Sequence, residues 1–168
     1  MNSLDINQVT SYIAASSANS KIYIGCDSER FRYKNKWMAD YATVAVIHID
    51  GNRGAKIFGE VTREMDYDVR PGKPSIRLMK EVYKVVEFYE KIKSSIGERY
   101  TEIHLDLNPD EQRGSSCVIQ QAIGYIVGTC NIKPVVKPAA FAASAAADRF
   151  WRDLRLDVED EFSAIARC

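Results

Sequence analysis

Three consecutive segments of this chain carry strand patterning, and everything after them alternates helix with strand. KIYIGCD (21–27) places Ile22, Ile24 and Cys26 on one face and Tyr23, Gly25 and Asp27 on the other. WMADYATVAVIHID (37–50) is dense in β-branched and aromatic residues. AKIFGEVTRE (55–64) follows it after GNRG (51–54), whose Asn and Gly accept the positive φ of a tight turn. The charged stretch SERFRYKNK (28–36) reads as the connection between the first two strands. Residues 21–64 therefore predict a three-stranded antiparallel meander.

The remainder predicts parallel crossovers. RPGKP (70–74) breaks the chain, and Ser75 reads as the N-cap of a helix from Ile76 to Ser95. Ile76, Met79, Val82, Tyr83, Val86 and Tyr89 recur at helical spacing, and Gly97 ends the run. TEIHLDL (101–107) is a fourth strand, Ser115–Gly128 a second helix, NIKPVVK (131–137) a fifth strand and 139–154 a third long helix. Residues 4–18 predict a short amphipathic helix ahead of the sheet. The expected architecture is α/β: a mixed five-stranded sheet with helices on both faces, formed by one domain over 1–154. Residues 155–168 are expected to add a peripheral helical extension.

Composition narrows the function classes. At 46% hydrophobic residues, 168 residues suffice for one core without disulfides. No run approaches the ~18 apolar residues of a membrane span, and MNSLDINQVT has no signal-peptide pattern. Cys26, Cys117, Cys130 and Cys168 form no CxxC pair, so reduced thiols in a cytoplasm are expected rather than zinc or a disulfide framework, with Cys26, Cys117 and Cys130 in the core. The formal net charge is zero, unusual for a protein that holds nucleic acid by phosphate neutralisation alone. A carboxylate-rich metal site would contribute negative charge that cations offset. Arg30, Arg32, Lys34 and Lys36, interleaved with Phe31, Tyr33 and Trp37, form a local basic run. Such a mixture can hold a single strand of nucleic acid, although a solvated hairpin flank accounts for it better.

Four acids stand out by position. Asp27 and Asp106 each end an apolar strand run, Glu81 lies in the first crossover helix, and Asp148 lies in the last helix. Strand ends of an α/β sheet are where ligands bind. Adjacent first and fourth strands bring Asp27 and Asp106 within a few ångström, where two carboxylates repel unless a cation separates them. Ala142, Ala143, Ala145, Ala146 and Ala147 let the last helix approach the sheet closely enough for Asp148 to join. Oxygen-only donors suit Mg²⁺ or Mn²⁺. Taken singly, each acid has an ordinary explanation: a turn for Asp27 and Asp106, a solvated face for Glu81, an i,i+4 pair with Arg152 for Asp148. Periodicity alone does not choose between Glu81 and Glu87. Ser28, Asn108 and Lys137 are further candidates for contacting substrate, and His104 shares a strand face with Asp106.

IGCDS (24–28), RLMKEV (77–82), HLDLNPD (104–110), GYIVG (124–128) and KPAAFAASAAADR (137–149) resemble the YkuK family of ribonuclease H-like nucleases. The likeness covers residues 21–150, and its specific segments surround Asp106 and Asp148. Cys26 stands where the family's strand-one pattern carries Thr, on the face away from Asp27. The resemblance implies a ribonuclease H-like fold and a site of two Mg²⁺ or Mn²⁺ ions held by Asp27, Glu81, Asp106 and Asp148. It implies hydrolysis of phosphodiester bonds in RNA, RNA/DNA hybrid or DNA, leaving a 5′-phosphate and a 3′-hydroxyl. Two alternatives stand beside that expectation. One is a resolvase-like nuclease acting on branched DNA as a homodimer. The other is a nucleic-acid- or partner-binding module of little activity on the same fold.

Overall fold

The computed structural model describes residues 4–69, 72–110 and 112–154. The elements are α1 (Ile6–Ala15), β1 (Lys21–Tyr33), β2 (Lys36–His48), β3 (Ala55–Met65), α2 (Ser75–Ile96), β4 (Thr101–Leu105), α3 (Ile119–Cys130), β5 (Val135–Val136) and a final helix, α4, over 145–154. The expected 155–168 extension lies outside the described residues.

The five strands form one sheet in the order β3-β2-β1-β4-β5. β1–β2 and β2–β3 are antiparallel, whereas β1–β4 and β4–β5 are parallel. The expected mixed α/β sheet is thus present, with helical elements on both faces. On one face Ile22, Ile24, Cys26 and Ile47 pack against Leu78, Val82, Val85 and Phe88 of α2 and Ala122 and Ile126 of α3. On the other, Ala42, Val44, Val46 and Val61 pack against Ala142, Ala146 and Ala147.

Several boundaries differ from the sequence expectation, each for a local reason. β1 does not stop at Asp27 but continues to Tyr33, paired throughout with β2. Residues 28–33 are charged or half-exposed on both faces, so apolar alternation is absent there although the ladder persists. Lys34 and Asn35, both at positive φ, make the two-residue hairpin turn. What ends at Asp27 is the partnership with β4, whose last pair is Cys26 with Leu105. Ser75 is the first helical residue of α2, not its N-cap. The first-turn N–H groups of Ile76 and Arg77 instead donate to the buried carboxylate of Asp68, at 2.9 and 2.8 Å. The second predicted helix opens with a 3-10 turn (Gly114–Val118), and β5 is only two residues long. The third is interrupted: a 3-10 turn (Phe141–Ala143) precedes α4. Cys26 and Cys130 are buried, but Cys117, expected in the core, is exposed.

Candidate metal centre

Asp27 lies in β1, and Asp106 directly follows the last residue of the neighbouring parallel strand β4, which ends at Leu105 rather than at the expected Leu107. The ladder pairs Cys26 with Leu105 and Leu105 with Val136, so the next row sets Asp27, Asp106 and Lys137 abreast. Asp27 lies on the face that carries α4, opposite Cys26. Its Oδ1 accepts the Ser28 N–H at 2.8 Å. Burial, then the Asp106 and Asp148 carboxylates, raise the Asp27 carboxyl from its ordinary 3.8 to about 6, against the opposing pull of the Ser28 N–H and Arg77.

α2 delivers Glu81 from the opposite face of the sheet. Its side chain is buried and accepts a hydrogen bond from Ser28 Oγ at 2.5 Å. Arg77, one turn earlier, donates to the Ser28 carbonyl at 2.8 Å and to Ser28 Oγ at 2.6 Å, and stands 3.8 Å from Glu81. Burial above all pushes the Glu81 carboxyl well above the ordinary range, and Asp27 and Asp106 add to it. Glu87, in contrast, is exposed and pairs with Lys91 at 2.8 Å. Only Glu81 of the two points toward the other acids.

Asp148 sits on α4, which two features press against the sheet. A Cβ on Gly25 would lie 2.4 Å from the Ala143 nitrogen, so strand and 3-10 turn meet backbone to backbone only because residue 25 is glycine. Fully buried His104 accepts the Ala142 N–H on Nδ1 at 3.0 Å and bonds Glu102 through Nε2 at 2.8 Å. With Nδ1 accepting, the network assigns the proton to Nε2. His104 is therefore the satisfied buried histidine that binds β4 to the turn before α4. Asp148 is exposed and, with Asp27, Ser28, Glu29, Trp151 and Arg152, lines a cleft of about 550 Å3.

The further candidates divide. Ser28 is within the cluster. Lys137 Nζ stands 2.8 Å from Asp106 Oδ1. Asn108 is occupied in its own loop: Oδ1 accepts the Asp110 N–H at 3.0 Å, and its N–H donates to Ser115 Oγ at 2.9 Å. In the basic run, Arg30 pairs with Asp66 at 2.8 Å and lies over the Trp37 ring. Arg77 was not among the sequence candidates. Its signal was the i,i+4 spacing to Glu81 in RLMKE.

The donor chemistry fits a hard divalent cation. Asp106 and Asp148 oppose ionisation of Asp27, Asp27 and Asp106 oppose that of Glu81, and Asp106 Oδ1 is shielded from solvent without an aligned hydrogen bond. As the side chains stand, however, no three His, Cys, Asp or Glu among the described residues are gathered closely enough to hold one ion. Lys137 and Arg77 provide the positive charge beside Asp106 and Glu81.

No helix among the described residues is long and apolar enough to cross a membrane. No curated protein and no solved structure matches the chain. A family model described as Ribonuclease H-like matches residues 5–152. The order of elements, the mixed sheet and this match over nearly the whole described chain agree with the resemblance to the YkuK family, and the chain belongs to the ribonuclease H-like family.

Proposed function

We propose that the protein is a metal-dependent nuclease that hydrolyses phosphodiester bonds of nucleic acid at the Asp27–Glu81–Asp106–Asp148 cluster. The observation that carries the reading is electrostatic. Asp106 and Asp148 both raise Asp27, and Asp27 and Asp106 both raise Glu81, at the edge of an open cleft. Two carboxyls raised by neighbouring acids beside a cleft mark a functional centre, where a divalent cation would offset charge beyond what Lys137 and Arg77 supply. Asp27 and Asp106 would hold the metals most centrally, with Glu81 on one and Asp148 on the other. Two Mg²⁺ or Mn²⁺ ions supply an activated water and charge stabilisation for an in-line displacement.

The protein's own residues prepare that site. The Ser28 N–H fixes one Asp27 oxygen, leaving the other for a ligand. Arg77 and Ser28 hold Glu81 toward the sheet in a single orientation. Glu29, Trp151 and Arg152 border the cleft where a strand would lie, and Lys137, paired with Asp106, is the ammonium offered to a phosphate oxygen. Asn108 stays a proposed substrate contact through its side-chain N–H groups, with its Oδ1 holding the loop.

The test is cleavage of labelled RNA/DNA hybrid, single-stranded RNA, single-stranded DNA and a four-way junction with Mg²⁺ or Mn²⁺. At least one substrate is cut to 5′-phosphate products by the wild type and none by Asp106→Asn. Cleavage of none by the wild type contradicts the proposal. One observation favours the binding-module reading instead: Lys137 already neutralises Asp106. That reading expects nucleic-acid binding with no cleavage and no response to metal.

A further inference from the structure

We propose that Lys137 is a built-in counter-ion of the carboxylate centre: its ammonium holds Asp106 until a divalent cation replaces it, and the freed ammonium then meets a substrate phosphate. The inference rests on the metal-centre reading above and assigns a step to a residue that is not itself a ligand.

The placement follows from sheet register. β5 is only two residues long, yet its pairing with β4 sets residue 137 beside residue 106. The Lys137 N–H donates to the Leu107 carbonyl at 3.1 Å, which fixes the backbone from which the side chain departs. The ammonium then lies 2.8 Å from Asp106 Oδ1, an oxygen that solvent does not reach. No other cation pairs with Asp106 among the described residues. A divalent cation brought to that oxygen repels the ammonium already on it, so the two compete for Asp106.

The exchange also has a route. The Lys137 side chain is 43% exposed, against 19% for Asp106, so its flexible stem leaves toward solvent without opening the core. Lysine suits this step better than arginine, since a single rotatable ammonium releases a carboxylate more readily than a bidentate fork. With Asp106 committed to a cation, the ammonium is left at the edge of a site built for polyanions.

The experiment is a calorimetric titration of Mn²⁺ into the full chain as wild type, Lys137→Met and Lys137→Arg. Loss of the competing charge lowers the half-saturating Mn²⁺ concentration of Lys137→Met by roughly three- to tenfold. Lys137→Arg leaves it at or above the wild-type value. Under saturating Mn²⁺, Lys137→Met also raises KM for an oligonucleotide several-fold. A midpoint in Lys137→Met that is unchanged or higher, with the wild type still binding Mn²⁺, overturns the exchange and leaves the metal centre standing. A wild type that binds no Mn²⁺ overturns both. Should Lys137→Met fail to fold, Lys137→Gln carries the same expectation with a polar side chain of similar reach.

Discussion

Asp27 carries an electrostatic cost set by its burial and by the Asp106 and Asp148 carboxylates. Its folded-state carboxyl titrates near 6, above the 3.8 of the unfolded chain. Between those values the folded state binds the proton and the unfolded state does not, so stability falls as pH rises through this window. Without metal, Asp27→Asn is therefore more stable than wild type at pH 7, by on the order of 1–3 kcal/mol. The gain disappears near pH 4, and urea denaturation in chelator across pH 4–7 measures it. Glu81 and Glu87 give a second contrast on one helix. Glu81→Gln raises the half-saturating Mn²⁺ concentration by roughly tenfold or more. Glu87→Gln, at an exposed pair with Lys91, leaves it unchanged and alters stability by less than about 0.5 kcal/mol. Calorimetry on both variants separates them. Equal effects would remove Glu81 from the site.

At the scale of elements, the centre depends on how closely the 3-10 turn and α4 approach β1. Gly25→Ala forces a Cβ against the backbone of Ala142 and Ala143, and costs about 1–3 kcal/mol by thermal denaturation. His104→Ala leaves the buried Ala142 N–H without its acceptor and opens a void among Tyr23, Phe141 and the sheet, costing about 2–4 kcal/mol. The alanine run of α4 was legible in the sequence because small residues in succession have few other uses. The placement of Asp27 in β1 and of Asp106 at the end of β4 was legible because apolar alternation runs up to them, although β4 stops at Leu105. The hairpin beyond Asp27 was not, since residues 28–33 lack a buried face. The Asp68 cap was also hidden. It lies outside the helix it serves, and only folding carries it to the first turn of α2. Lys137 could be named but not placed, because its position beside Asp106 follows from the register of a two-residue strand.

Across the whole molecule, a chain of zero formal charge sets Asp27, Glu81, Asp106 and Asp148 near one end of β1 and β4, with Lys137 and Arg77 beside them. Binding Mn²⁺ to that end stabilises the folded state, because ions held by the native acids alone shift unfolding by mass action. The shift is lost in Asp106→Asn. The Asp27, Glu81, Asp106 and Asp148 assignments share one claim: that these four carboxylates close on divalent cations. Crystals soaked in Mn²⁺ and measured at the manganese absorption edge test it directly. Anomalous peaks bounded by Asp27, Asp106 and at least one of Glu81 and Asp148, with the Lys137 ammonium moved off Asp106, are the expected result. A clean map at that position, with Lys137 still on Asp106 at saturating Mn²⁺, would contradict the metal centre.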